Sequence, residues 1–255
     1  MGLKDALRAA VERSTGLRVM RQPPFGLDKY ADIKLVLAGH PMRTLIDIGA
    51  NVGQTARELR KAWPDAEIHC CEPVPTTFNA LKAAVAGDAR THSHPVAIGA
   101  RHETLEMHLA QGGERSDISS LHAGHPALEG ARITHIPVQV IPLTALFEQQ
   151  GITRADLLKI DTEGHDLAVL DGAAPLLASG RIGLVDVEVG MNRDNTFHVP
   201  LGLMQQRLED LGYRLFGIYD QMQEWPTKRP VLRRCNAVFI PERMAPPGSW
   251  SPFPQ

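Results

Sequence analysis

The stretch Leu45-Ile46-Asp47-Ile48-Gly49-Ala50-Asn51-Val52-Gly53 constrains the fold of this chain more than any other. A short run of strand character leads into two glycines that bracket a tight turn. Val52, Ala56, Leu59 and Trp63 then recur at spacings of four, three and four, which places them on one helix face. A second apolar run, Ile68 to Cys71, follows and ends on Glu72. A strand, a turn, a helix and a second strand open a parallel sheet, because parallel strands need a crossover and a helix supplies it.

The alternation continues along the chain. Phe78, Leu81 and Val85 predict a helix, with Pro75 in its first turn and Gly87 at its stop. Val96 to Ile98 predicts a third strand. Asp156–Ile160 and Ile182–Val189 predict two more, separated by a helical stretch from Leu167 to Leu177 with a break near Gly172. Leu201, Met204, Leu208 and Leu211 mark another helix, closed by Gly212. Tyr213–Tyr219 and Cys235–Ile240 are the last strands, pairing antiparallel across a long connection. Leu105–Leu109 and Ile133–Val140 alternate and predict antiparallel strands. The expected fold is α/β, a mostly parallel sheet with helices on both faces.

At the ends, Leu3, Leu7 and Ala10-Val11 predict a peripheral helix within residues 1–22, stopped at Pro23-Pro24-Phe25-Gly26. The organisation expected is a helical extension (1–42), one domain (43–243) and a Pro-rich tail (244–255). With 43% hydrophobic and 22% charged residues, the chain has an ordinary globular balance. A net charge of −2 gives no global field for nucleic acid or an anionic membrane. No stretch approaches the ~18 apolar residues of a membrane span. No signal-peptide pattern opens the chain. Cys70, Cys71 and Cys235 are an odd set that reads as buried free thiols in a reducing compartment, so a cytoplasmic location is expected.

Ligands of such sheets bind beyond the carboxyl ends of the strands. The first of these ends carries Asp47 and the glycine turn. Its pattern departs from the dinucleotide fingerprint G-x-G-x-x-G, because Asn51 stands where the second glycine belongs. Asp47 would repel pyrophosphate but suits the ammonium of a sulfonium ligand. The backbone of the turn suits the carboxylate and ribose of an amino-acid nucleoside. Glu72, 25 residues on, can accept hydrogen bonds from both ribose hydroxyls.

These residues resemble a known family. Leu45 to Gln54, Glu72-Pro73, Ser119-Ser120-Leu121 and Leu157-Leu158-Lys159-Ile160-Asp161-Thr162-Glu163-Gly164-His165 are similar, in order and spacing, to the FkbM-type methyltransferases over about residues 43–240. The resemblance implies a Rossmann-like class I fold, with seven strands and the last one antiparallel. It implies S-adenosylmethionine as methyl donor and O-methylation of sugars, glycolipids or natural products. Carried over by position, Asp47, Gly49, Asn51 and Gly53 would line the methionine and ribose part, and Glu72 would bind the ribose.

The chemistry belongs to the end of the fourth parallel strand, Asp161 to His165. His165 is the candidate base, because its ordinary pKa of about 6.5 suits neutral pH. Asp161 and Glu163 are the alternatives. Glu188, Asn192 and Ser119 are the candidate acceptor contacts, and the glycine-rich stretch Arg115–Arg132 has the length of a lid or binding loop. Asp161, Glu188 and Asn192 are also oxygen ligands of the type Mg²⁺ prefers, but no ligand cluster stands in the sequence and a metal is not favoured. The expected partner is a small-molecule or glycan acceptor and not nucleic acid; a homodimer stays open. The rival readings are a nucleotide-binding oxidoreductase of related fold and a non-catalytic cofactor-binding module.

Overall fold

The computed structural model describes residues 3–16, 24–111, 119–120 and 132–248. The chain divides into two compact units, Met1–Ala38 and Gly39–Gln255. In the first, helix α1 spans Leu3–Thr15 and α2 spans Lys29–Val36. The periodicity of the first helix was expected; α2 was not. Its start is set locally by Asp28, whose carboxylate accepts the Ala31 N–H at 3.0 Å.

The second unit holds the sheet. In chain order its elements are β1 (Thr44–Ile48), α3 (Gln54–Ala62), β2 (Glu67–Cys71), α4 (Pro75–Val85), β3 (Thr91–His94), β4 (Ala97–Ile98), β5 (Glu103–Gln111), β6 (Ser119–Ser120), β7 (Arg132–Ile141), α5 (Leu143–Gln150), β8 (Ala155–Ile160), α6 (Asp166–Ala178), β9 (Ile182–Gly190), α7 (Leu201–Glu209), β10 (Tyr213–Glu224) and β11 (Arg229–Pro241). The main sheet has seven strands in the order β10-β11-β9-β8-β1-β2-β3. β1 pairs parallel with β2 and β8, β2 with β3, and β8 with β9. Only β11 runs against its neighbours. This is the Rossmann-like α/β sheet that the sequence predicts, with an antiparallel last strand.

Four details differ from expectation. The third strand of the main sheet is Thr91–His94, not Val96–Ile98. It is an edge strand with one neighbour, so it needs no apolar run to be held. Ala97-Ile98 pairs instead with β7, in a second, four-stranded sheet ordered β4-β7-β5-β6. Helix α6 runs unbroken through Gly172 and carries Pro175 in its interior. β10 and β11 are longer than read and only a short turn, residues 225–228, joins them.

The main core lies on one face of the sheet. Ile46, Ile48, Leu158, Ile160, Val185, Val187 and Val189 pack there with Phe147 of α5, Val169, Leu170 and Leu177 of α6, and Met204 and Leu208 of α7. Strands buried this thoroughly read as continuous apolar runs, which made them visible in the sequence. All three cysteines are buried free thiols. Among the described residues no helix is long and apolar enough to cross a membrane.

Candidate functional site

The carboxyl ends of β1, β2 and β8 are tied together by backbone. Gly49 and Ala50 N–H donate to the Cys71 carbonyl at 3.1 and 3.0 Å, and Asp161 N–H donates to the Ile48 carbonyl at 3.0 Å. Between these ends lies a cavity of about 360 Å³, lined by Ile48–Asn51, Gln54, Thr55, Cys71–Pro73, Val96–Ile98, Met107, Asp161–Glu163 and His165.

The first wall is the turn after β1. Gly49 has φ +81°, and a Cβ there would lie 1.8 Å from the Asp161 carbonyl oxygen. Only glycine fits where two strand ends approach so closely. Asn51 has φ +48°, a conformation that asparagine tolerates better than most residues. Its N–H donates to Glu72 Oε2 at 3.1 Å, and the Val74 N–H donates to Oε1 at 2.9 Å. Each carboxylate oxygen keeps a second acceptor direction. The buried Glu72 is therefore aimed before any ligand arrives. Burial raises its pKa, and the two backbone donors oppose the rise.

The second wall is the segment after β8. Glu163 (φ +53°) and Gly164 (φ +99°) are successive left-handed residues, a costly arrangement for the glutamate of the kind that clusters at functional sites. Asp166 fixes the bend: its Oδ1 accepts the Thr162 N–H at 3.0 Å and the Thr162 hydroxyl at 2.8 Å. His165 is the N-cap residue of α6 and lines the cavity. Its Nε2 is buried against Gly99, where a Cβ would lie 3.0 Å away. Asp161 Oδ2 lies 3.4 Å from the Nζ of buried Lys159.

The cavity thus brings together Gly49, Asn51, Glu72, Asp161, Glu163 and His165. Gly53 stands just outside it, as the N-cap of α3. Asp47 stands behind it, fully buried in β1. Glu188 and Asn192 do not join it. Glu188 Oε2 pairs with His198 Nε2 at 2.6 Å, and its Oε1 pairs with Arg234. Asn192 Nδ2 donates to Glu224 Oε2 at 3.1 Å and to the Leu232 carbonyl at 2.5 Å. Among the described residues no three His, Cys, Asp or Glu side chains are grouped to hold a metal. Both Glu188 oxygens are engaged by His198 and Arg234, and Asn192 Oδ1 accepts the Asp194 and Asn195 N–H, so neither side chain turns an oxygen toward Asp161. β6 places the Ser119 backbone opposite Leu109; the Ser119 side chain and most of Arg115–Arg132 lie outside the described residues.

Sequence reasoning missed several residues. Val96–Ile98 and Met107 close the apolar side of the cavity, where Met107 packs with Val74 and Val138. The polar composition of residues 192–198 suits acceptor contact, but the pairing of Asn195 and His198 with Glu188 was not expected. Asn195 meets His198 Nδ1 while Glu188 meets Nε2, so both ring nitrogens are engaged. The equal spacing of Asn192, Asn195 and His198 is the one trace of this network in the sequence.

The strand order defines a class I methyltransferase fold. The particular family follows: residues 47–215 match the model of the methyltransferase FkbM domain, and the chain belongs to that family. A curated relative, "Methyltransferase 1" of Beauveria bassiana (strain ARSEF 2860), is 25% identical over 142 residues, 50% of this chain and 57% of the relative. The chain therefore spans little more than half the length of that relative. Similar solved structures include a SAM-dependent methyltransferase of Agrobacterium tumefaciens (7% identity, 83% of this chain and 61% of that one, TM-score 0.46). Another is a TehB-like SAM-dependent methyltransferase of Corynebacterium glutamicum ATCC 13032 Kitasato (15% identity, 93% and 96%, TM-score 0.39). Scores of this size do not assign a fold; the strand order does.

Proposed function

We propose that this protein transfers a methyl group from S-adenosylmethionine to an oxygen of a small or glycosidic acceptor. The observation that supports the reading best is the cavity that unites Gly49 and Asn51, Glu72, and Asp161 to His165. Its residues fit the cofactor by their chemistry. Glu72 is a pre-aimed acceptor for two ribose hydroxyls. The Gly49 turn, which no Cβ could occupy, lets backbone approach the methionine part. Gln54 and Thr55 line the cavity at the start of α3, where unpaired amides favour a carboxylate. Pro73, Val96–Ile98 and Met107 give an apolar wall for the base.

When bound, the cofactor supplies a methyl group already activated on a sulfonium. The remaining tasks are alignment, exclusion of water and removal of one proton. An acceptor hydroxyl would donate to Asp161 or Glu163, and as its oxygen gains the methyl group its proton passes to that carboxylate. Asp161 is held by the Lys159 ammonium and suits orientation. Glu163, bent into the cavity wall by its left-handed backbone, suits proton acceptance. His165 has its Nε2 against Gly99 and suits shaping of the wall. A positioned base is worth roughly 10²–10⁴-fold in rate.

The test is calorimetric titration of S-adenosylhomocysteine, with NAD⁺ in parallel and Glu72→Ala as a second protein. Micromolar binding of the homocysteine compound alone, weakened by roughly 1–3 kcal/mol in the variant, is the expected result. Binding of NAD⁺ instead, or of neither, would overturn the reading.

A further inference from the structure

Behind the cavity a polar row crosses the main sheet. In register, Ser93 of β3, Cys70 of β2, Asp47 of β1, Lys159 of β8 and Asp186 of β9 stand side by side. Residues in parallel register share a face, so these side chains project to one side. Cys70, Asp47, Lys159 and Asp186 are all buried. The row ends at β11, where Val238 stands opposite Asp186. Helix α3, which packs on β1 and β2, has only Ala56 and Leu59 as buried residues, and both are apolar.

One cation, Lys159, serves several carboxylates here. Lys159 brings one ammonium. Asp161, at the cavity, lies 3.4 Å from it. Asp47 and Asp186 flank it in register. Glu72 and the thiols of Cys70 and Cys71 complete the titratable surroundings of Asp47. Both carboxylate oxygens of Asp47 are buried with no hydrogen-bond partner among the described residues. A buried carboxylate without a donor is costly to ionise, and the one ammonium beside Asp47 is shared with Asp161. A proton on Asp47 avoids that cost.

We infer that Asp47 is a proton-carrying counter-ion of the cofactor cavity, holding a proton while no cation is present and releasing it to solvent when a cationic ligand settles there. The inference rests on the reading that the cavity takes S-adenosylmethionine. Asp47 lies two residues before Gly49 and interacts electrostatically with Asp161 and Glu72, and these three residues line the cavity. The sulfonium, ammonium and carboxylate of the methyl donor sum to one positive charge. That charge takes over the neutralising role of the proton, and no covalent bond other than O–H changes. The thioether product lacks the sulfonium charge, so it displaces less of the proton. Burial holds the Asp47 pKa at about 7, against the pull of Lys159, which places the exchange in the neutral range.

The experiment is titration calorimetry of the full chain with S-adenosylmethionine and, separately, S-adenosylhomocysteine, in phosphate and in Tris. The difference between buffers, whose ionisation heats differ, counts protons. With a pKa of about 7, roughly half a proton leaves per methyl donor at pH 7 and about nine-tenths at pH 6, where the donor's own ammonium stays protonated. The homocysteine compound releases less. Asp47→Asn binds more weakly and releases none, whereas Glu72→Gln binds more weakly and keeps the release. Binding with equal heats in both buffers overturns the inference alone, as does release that survives in Asp47→Asn. Binding of neither compound overturns the cofactor reading with it. Should Asp47→Asn fail to fold, difference infrared spectroscopy of the unaltered protein decides. A buried protonated-carboxyl band must disappear on adding the methyl donor, and its persistence overturns the inference.

Discussion

Gly172 sits in the interior of α6, where glycine is ordinarily a defect. By helix propensity, Gly172→Ala should stabilise by about 1 kcal/mol. The packing says the opposite. A Cβ at 172 would lie 1.9 Å from the Gly99 carbonyl oxygen and 3.3 Å from Pro142 Cα. Ordinary contact begins near 3.4 Å, so helix and β4 would have to part by about 1.5 Å. Neither side yields easily, because Gly99 N–H is bonded to the Ile141 carbonyl at 3.0 Å and α6 is buried along Val169, Leu170 and Ala173. Overpacking against backbone costs about 3 kcal/mol or more, which exceeds the propensity gain and leaves a net loss of about 2 kcal/mol. For a unit of this size that lowers Tm by roughly 4–8 °C. Val96–Ile98 line the cavity just before Gly99, so S-adenosylhomocysteine binding should weaken several-fold although residue 172 touches no ligand. Thermal unfolding followed by circular dichroism, with calorimetric binding at 25 °C, measures both. A rise in Tm would refute the close approach of α6 to Gly99.

Three further outcomes follow from the same geometry. Gly49→Ala, with a backbone oxygen 1.8 Å from the new Cβ, should abolish cofactor binding. Gly53→Ala, facing side chains alone (Leu81 at 3.0 Å, Ala84 and Val85 at 3.8 Å), should cost about 1–2 kcal/mol of stability and keep binding, and equal effects would contradict the assignment of the two glycines. His69 and His94 stack 5.3 Å apart, and burial together with neighbouring imidazoles lowers both pKa values to about 4. Because the folded values lie below the unfolded one of about 6.5, their contribution is complete above pH 6.5 and is lost as pH falls toward 4, by up to about 1 kcal/mol per pH unit for each ring. Asp47, with a folded pKa raised to about 7, works the other way across that range. The check is therefore the difference in urea unfolding between the unaltered protein and His94→Gln, which should shrink from pH 7 to pH 5; a constant difference would refute it. His198→Ala strips the ring from buried Glu188 and from Asn195. It should cost about 2–3 kcal/mol and raise hydrogen exchange in residues 191–199, with S-adenosylhomocysteine binding unchanged.

What the sequence showed and what it hid follow one physical line. β1, β8 and β9 are buried on both faces, so their apolar runs announce them. Thr91–His94 is an edge strand of polar residues, held by backbone pairing to β2 and by its histidines, and no periodicity marks it. Gly172 reads as a helix breaker because propensity is local, whereas its reason is a carbonyl far away in the sequence. The same contrast separates the site residues. Gly49, Glu72 and Asp161 lie at the carboxyl ends of adjacent parallel strands, or just beyond them, and parallel topology alone brings such ends together. Glu188 also stands near the end of a parallel strand, yet β9 has the antiparallel β11 as its other neighbour. The chain then doubles back, with Gly190 N–H donating to the Val199 carbonyl at 2.9 Å. His198 arrives with that return and takes the Glu188 carboxylate. Where parallel neighbours flank a strand end on both sides, position in the sheet predicts position in the cavity; where the sheet changes direction, the carboxylate at the strand end goes to the loop that covers it.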